Sequence, residues 1–249
     1  MPGSEQSARK KTAELIDRGE HRSLRSAILE QIRADLVCGV LPPGQPINVR
    51  ELFLRFGGGQ SAIREALCQL AADGLVIAED QRGFRARPIS ADDLMDVTKA
   101  RLEIEAFAIR DAIENGDTDW EASIVAEFHR LSRLPRIDVS DNRRMSPAYK
   151  EQHRRFHTAL VSACTSEWIK RFQVTLNEQS ERYRELVVAY YANTAPVRDL
   201  SQEHRDLMQA AIDRDGNRAA RLVAEHIEAT AANLLKAGVA ELLPSPLSQ

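Results

Sequence analysis

Three consecutive glycines, Gly57-Gly58-Gly59, stand between two short runs of helical periodicity, and a chain crosses such a run only by turning sharply. The run before them, VRELFLRF (49–56), predicts a helix. The run after them, QSAIREALCQLAAD (60–73), predicts another, with Ile63, Leu67 and Leu70 on one side and Gly74 as its stop. Upstream, Leu24, Ile28, Ile32 and Leu36 recur at helical spacing before a breaker cluster, Leu41-Pro42-Pro43-Gly44. Downstream, Leu75-Val76-Ile77 and Phe84-Arg85-Ala86-Arg87 flank a polar tip, Asp80-Gln81-Arg82-Gly83, which reads as a two-stranded hairpin. Helix, helix, glycine turn, helix, hairpin is the order of a winged helix-turn-helix: three helices and a β-hairpin wing.

The pattern changes after residue 90. From 91 to 240 the sequence is helical almost throughout, with about six helices and no convincing strand, and it predicts an all-α antiparallel bundle. The expected organisation is a tail over 1–20, the winged domain over 21–88, the helical domain over 91–240 and a second tail over 241–249. The chain as a whole is mainly α. No apolar run is long enough to span a membrane, and residues 1–20 lack the apolar core of a signal peptide. Cys38, Cys68 and Cys164 are odd in number and far apart, so no disulfide framework is expected and a reducing cytoplasm fits.

The net charge of −3 does not announce a nucleic-acid binder, but residues 1–90 carry 13 Lys+Arg against 11 Asp+Glu, so the deficit lies in the helical domain. In a winged helix-turn-helix the third helix enters the major groove with its N-terminal residues at the base edges. Arg64 lies one turn into that helix, off its apolar side. Arg82 and Gly83 sit where a wing tip meets backbone or minor groove. One such helix reads only a few base pairs, so a homodimer on a palindromic operator in double-stranded DNA is expected.

Four of the six histidines of the chain fall on apolar helix stripes of the second domain. On a helix over about 147–164 the stripe is Tyr149, His153, Phe156, His157, Leu160, Cys164. On the next-to-last helix it is Leu200, His204, Leu207, Met208, Ala211, and on the last it is Ala219, Leu222, Val223, His226, Ala229. His153 and His157, four apart, share a face and can grip one ion; His204 and His226 would join them from two further helices. Four converging imidazoles suit a borderline divalent ion such as zinc or nickel. The alternative for each is a hydrogen-bonded core histidine. His21 and His129 have no such setting and read as surface or packing residues. Arg101 is the second anomaly, on a stripe of Leu94, Val97, Arg101, Ile104 and Ala108. A buried guanidinium needs a partner. Glu105, four residues on, is one; the other reading is that Arg101 forks onto a carboxylate effector.

Several pieces together carry a family resemblance: Pro42-Pro43-Gly44, Arg50-Glu51-Leu52, Arg64-Glu65-Ala66-Leu67, Leu70, Asp73-Gly74-Leu75-Val76 and Arg82-Gly83-Phe84. They resemble the DNA-binding domain of the GntR family of transcription regulators. The stretches ARLEIEAFAIRDAIENGD, HRRFHTAL and EHRDLMQAAIDRDGNRAARLVAEHI are similar to the helical FCD domain of its FadR-type branch, in the smaller VanR-like version. The resemblance implies a DNA-contact set of Arg50, Gln60, Ser61 and Arg64. Gln60 stands where the family usually has an arginine that reads guanine, and Gly59 where it has a hydroxyl that holds phosphate. A glutamine suits adenine. It also implies a metal site of one aspartate and three histidines, with His157, His204 and His226 matching the histidines and His153 standing at the aspartate. HRRFH and QSERYR resemble a subgroup of regulators that answer to small dicarboxylates. The expected function is a repressor released by a small organic acid, with a dicarboxylate as one candidate, bound near a divalent metal. A metal-dependent helical hydrolase is the alternative, but the chain has no HExxH, His-Asp dipeptide, P-loop or GxSxG, and that reading leaves the first domain unexplained.

Overall fold

The first helix, α1 (Leu24–Val37), forms where the apolar spacing places it and buries Ile28, Ile32 and Leu36. The computed structural model describes residues 24–57, 59–138, 145–194 and 198–236, with the backbone alone over 185–194. A two-residue strand β1 (Pro46–Ile47) precedes α2 (Val49–Phe56). Asn48 caps α2 by accepting from the backbone N–H of Arg50 and Glu51, while its own amide donates to the Glu51 carboxylate at 2.9 Å. Gly57 leaves α2 with φ +73° and Gly59 enters α3 (Gln60–Ala72) with φ +93°, so both glycines occupy backbone that a side chain resists.

The wing is β2 (Val76–Glu79) and β3 (Gly83–Ala86), paired from Val76↔Ala86 to Glu79↔Gly83. The sheet has a third strand that the sequence did not predict. β1 pairs with β3, giving the order β1-β3-β2. Two residues are too few to show a period, and their partner lies some forty residues away. Arg85 fixes the wing by donating to Glu79 at 2.7 Å and to the carbonyl of Gly44 at 2.7 Å. The core of this unit is Ile28, Ile32, Leu52, Phe56, Ile63, Leu67, Leu70, Leu75 and Phe84. Two ion pairs tie the helices at its edge: Arg55 to the buried Asp35 at 2.6 Å, and Arg33 to Asp73 at 2.5 Å.

The chain divides into two compact units at Ile89/Ser90. The described part of the second unit holds six helices: α4 (Ala91–Asn115), α5 (Thr118–Ser132), α6 (Pro147–Val161), α7 (Glu167–Thr194), α8 (Leu200–Ile212) and α9 (Gly216–Lys236). Ser90, Asp117, Ser146 and Asp199 cap α4, α5, α6 and α8 through their side-chain oxygens. α4 and α7 run antiparallel, as Thr165 on Asp111, Ser180 on Arg101 and Tyr183 on Asp93 require. Gly116 turns α4 into α5 against the Trp120 ring, where an added Cβ would lie 2.3 Å from a ring carbon. The core gathers Ile109, Ile113, Ile124, Phe128, Phe156, Leu160, Leu207 and Val223. This mainly helical architecture, a winged helix-turn-helix followed by a six-helix bundle, is the predicted one. α6 ends at Val161 rather than near 164, with Ser162 at its C-cap.

On α4 the buried face is not the one the apolar residues suggest. Val97 and Ile104 are half-buried, whereas Thr98, Arg101 and Glu105 are buried. The inward stripe is Leu94, Thr98, Arg101, Glu105, Ala108, Ala112, so α4 turns a polar segment towards the bundle interior.

Candidate nucleic-acid interface and metal centre

α3 has no side-chain cap, because Gly59 offers none. Its first N–H groups therefore have no acceptor within the helix, and the positive end of the helix dipole is open to an anion. Around that end Gln60, Ser61 and Arg64 are exposed, and Arg50, on the first turn of α2, is exposed as well. Arg82 and Gly83 are exposed at the wing tip, where Gln81 (φ +59°) and Gly83 (φ +91°) both take left-handed backbone. Arg33, Arg55 and Arg85 are engaged in internal ion pairs. Among the described residues Arg50, Arg64 and Arg82 make no ion pair, so their charge is available to a partner. The sequence shows Gly59 in place of the family's usual hydroxyl; the structure adds that this glycine is the N-cap position of α3 and leaves it without a side-chain cap.

In the second unit His153 and His157 from α6, His204 from α8 and His226 from α9 meet, each offering a ring nitrogen, all within 4.8 Å of one another. Ring centroids lie 4.5 Å apart for His153–His157, 5.0 Å for His153–His204 and 5.0 Å for His204–His226. All four are buried. Phe156 packs edge-on against both His157 and His204 at 5.4 Å, and Tyr149 stacks on His153 at 5.9 Å. Burial holds all four imidazoles below their ordinary pKa. For His153 and His157 the neighbouring rings push the same way, for His226 so does His204, and His204 itself is lowered to about 4 despite the opposing charge of Glu203. The rings are therefore neutral near pH 7, the form that ligates metals.

Two features of the cluster fit an ion. The Nε2 atoms of His157 and His204 are buried without a hydrogen-bond partner, and an all-imidazole donor set suits a borderline divalent cation. His226 turns Nδ1 onto Glu203 at 2.9 Å, which leaves Nε2 as its available nitrogen. His129 is exposed and takes no part; His21 lies outside the described residues.

Arg101 is buried and finds Glu105, through Nε at 2.8 Å and Nη2 at 2.6 Å, and Ser180 at 2.9 Å. Its charge is one of the influences that lower the pKa of His157 and His226. A row on α7 went unread in the sequence: Gln173, Asn177, Ser180 and Arg184, spaced four, three and four, share one inward face. The Gln173 Nε2, Asn177 Oδ1 and Arg184 Nε atoms are buried and unpartnered. Polar residues at helical spacing read as a solvated face unless the helix is known to be enclosed. Arg184 also acts on the charge balance of all four histidines.

The family model for the bacterial regulatory proteins of the gntR family matches residues 24–85, and the FCD domain model matches residues 96–229. The HTH-type transcriptional regulator BphR of Paraburkholderia xenovorans is 38% identical over 84% of this chain and 84% of its own length. The HTH-type transcriptional repressor GlaR of Escherichia coli is 31% identical over 79% of this chain and 89% of its own. Among solved structures, E. coli McbR/YncC superposes with a TM-score of 0.68 at 17% identity, covering 87% of this chain and 99% of that one, a likeness of fold. No described helix is long and apolar enough to cross a membrane.

Proposed function

The chain belongs to the GntR family of bacterial regulatory proteins and carries its FCD domain, and on that premise we propose that it is a metal-containing repressor whose hold on DNA is released by a small carboxylate. It is a DNA-binding transcriptional regulator and not an enzyme. In the proposed docking, α3 lies in the major groove, with Gln60, Ser61 and Arg64 towards base edges and nearby phosphate. Arg50 contacts backbone, and Arg82 with Gly83 reaches the adjacent groove from the wing. Two subunits, joined through the helical domain, read a palindromic operator in the cytoplasm.

His153, His157, His204 and His226 would hold the ion, zinc or nickel by donor type. Bound there, it would supply a fixed positive charge and a Lewis-acidic contact for an anion. The four rings contribute no negative charge, so an ion in their midst keeps both of its positive charges in a buried setting, and an anionic effector is the complement. In this reading Arg101, Ser180, Asn177 and Arg184 would form the polar wall of the effector site. A ligand with a second carboxylate gains a second cationic anchor there, so dicarboxylates should bind better than monocarboxylates. Binding would repack the helices around the site and, through the dimer, change affinity for DNA.

The observation that carries the sensing half is the pair of buried, unpartnered Nε2 atoms of His157 and His204 inside a cluster of neutral imidazoles. The test begins with metal analysis of protein purified without chelator, then thermal shifts with a panel of carboxylates. It ends with retardation of a labelled copy of the protein's own promoter, with and without the stabilising acid. A protein that takes up no divalent ion and whose stability ignores every carboxylate would refute the sensing half. Retardation that the stabilising acid does not reverse would refute release by the effector.

A further inference from the structure

Glu203 sits immediately before His204, yet its carboxylate is turned onto a different ring, His226 of α9, and it is itself gripped by Arg198. The guanidinium of Arg198 forks onto it, Nε to Oε1 at 2.5 Å and Nη2 to Oε2 at 2.6 Å. The same guanidinium donates to the carbonyl of His226 at 2.9 Å and to Thr230 Oγ1 at 2.9 Å. α8 and α9 are thus stitched together at the edge of the histidine cluster by one arginine and one carboxylate. Among the described residues, Glu203 is the carboxylate hydrogen-bonded to a ring of the cluster.

The hydrogen-bond chemistry decides how His226 is protonated. A carboxylate only accepts, so the 2.9 Å contact requires the proton to be on Nδ1, and the lone pair then lies on Nε2. Arg198 Nη2 also lies 3.4 Å from the same Nδ1. An arginine only donates, so a bond from Arg198 would require the other tautomer, with Nε2 protonated and unable to ligate. The shorter contact to an anionic acceptor prevails over the longer one. Glu203 therefore does two things at once: it orients His226, and it occupies the arginine that would otherwise favour the wrong tautomer.

We propose that Glu203, clamped by Arg198, is a positioning residue for the metal centre, which fixes His226 as the Nδ1–H tautomer and places a negative charge behind a ligand set that has none of its own. The inference rests on the metal reading of the histidine cluster. Outer carboxylates on ligating histidines raise ligand basicity and hold the ring, and their loss costs roughly 10–100-fold in metal affinity.

The test uses the full-length protein, stripped of metal and titrated with zinc against a chromophoric chelator and with cobalt(II) by its visible absorption. Glu203→Gln should weaken zinc binding roughly 10–100-fold and shift the cobalt bands, with the melting temperature of the metal-free protein unchanged. Glu203→Asp should lose less. Glu203→Ala should lose most, because it leaves Arg198 facing Nδ1, and Glu203→Ala combined with Arg198→Met should recover part of that loss. No purely structural role predicts that recovery. Should Glu203→Gln melt early, nitrogen-15 spectra of the metal-free wild type decide the matter: His226 protonated on Nδ1 supports the proposal, and on Nε2 overturns it. Unchanged zinc affinity and cobalt spectrum in Glu203→Gln would overturn this inference while leaving the metal reading intact. A wild type that takes up neither ion would remove the reading beneath it and this inference together.

Discussion

Glu105→Gln tests whether Arg101 is held as a buried ion pair. The side chains of Arg101 and Glu105 are 5% and 3% exposed, and the guanidinium makes two contacts to the carboxylate. Glutamine keeps the size of Glu105 and one acceptor but removes the charge, so the guanidinium stays buried with only Ser180 and an amide. Breaking a buried pair from one side costs about 3–5 kcal/mol. With a denaturant slope near 2 kcal/mol per molar urea, the unfolding midpoint should fall by about 2 M. Removing both charges, as Arg101→Met with Glu105→Leu, eliminates the desolvation cost together with the attraction, and should restore most of the loss. Tryptophan fluorescence is the assay, because Trp120 and Trp168, the two tryptophans of the chain, both lie in the second compact unit and report its unfolding. The double variant also separates the two roles of Arg101. A response to carboxylates that survives in it would mean that the arginine serves the framework alone; loss of the response in a stable protein would mean that it also binds the effector. A Glu105→Gln protein within about 0.5 kcal/mol of wild type, the range of ordinary surface substitutions, would refute the buried-pair reasoning itself.

Arg64→Ala should weaken operator binding by about 1–3 kcal/mol in fluorescence anisotropy, with no change in the unfolding midpoint, since the side chain is exposed and unpaired. Gln60→Arg should move one position of each half-site towards guanine when operators are selected from a random library; an identical consensus would show that Gln60 reads no base. In metal-free protein the buried histidines have lowered pKa values, so the unfolded chain takes up protons first. Stability should therefore fall as pH drops below about 6.5. His204 alone, held near 4, accounts for about 3 kcal/mol by pH 4, and an acid melt of chelator-treated protein checks the slope. Sedimentation at micromolar concentration should give a dimer, and a monomeric mass with and without DNA would refute the two-subunit docking.

Much of the fold was legible because its signals are local. Apolar residues at 28, 32 and 36, then at 63, 67 and 70, define helix faces by spacing alone, and the glycines at 57 and 59 hold positive φ because only the backbone of a sharp turn needs it. β1 was not legible, because a two-residue strand has no period and its pairing with Arg85 and Phe84 is a long-range event. The buried face of α4 was read slightly askew. Val97 and Ile104 attract an apolar-stripe reading, but the enclosed residues are Thr98 and Glu105, one position further on. Apolar periodicity ranks residues by what they would prefer to bury, and a functional interior buries polar groups against that preference.

The same asymmetry separates what was seen at the site from what was missed. The four histidines were conspicuous because each interrupts an apolar stripe, and inward direction follows from the neighbours at three and four residues' distance. Gln173, Asn177 and Arg184 interrupt nothing: they lie on a helix whose outward residues include Trp168 and Phe172, at 65% and 50% exposure, so its hydrophobic signal points away from the bundle. Arg198 and Glu203 form a pair across a helix start, which no spacing rule marks. The orphaned atoms at this interior then carry a thermodynamic consequence. Leaving the buried Nε2 atoms of His157 and His204 without partners costs about 1–3 kcal/mol each, a penalty that a chain of ordinary stability, about 5–15 kcal/mol, does not retain in its core without compensation. A cation held there would satisfy both atoms in one step. In the proposed sensing scheme an anion neutralising that cation would satisfy Arg184 Nε and Gln173 Nε2 in another. The metal-free structure should thus be the least stable of the three states and the effector-bound one the most. The melting temperature should rise in two separate steps, first with metal and then with carboxylate, and a carboxylate that stabilises the metal-free protein equally well would break that order.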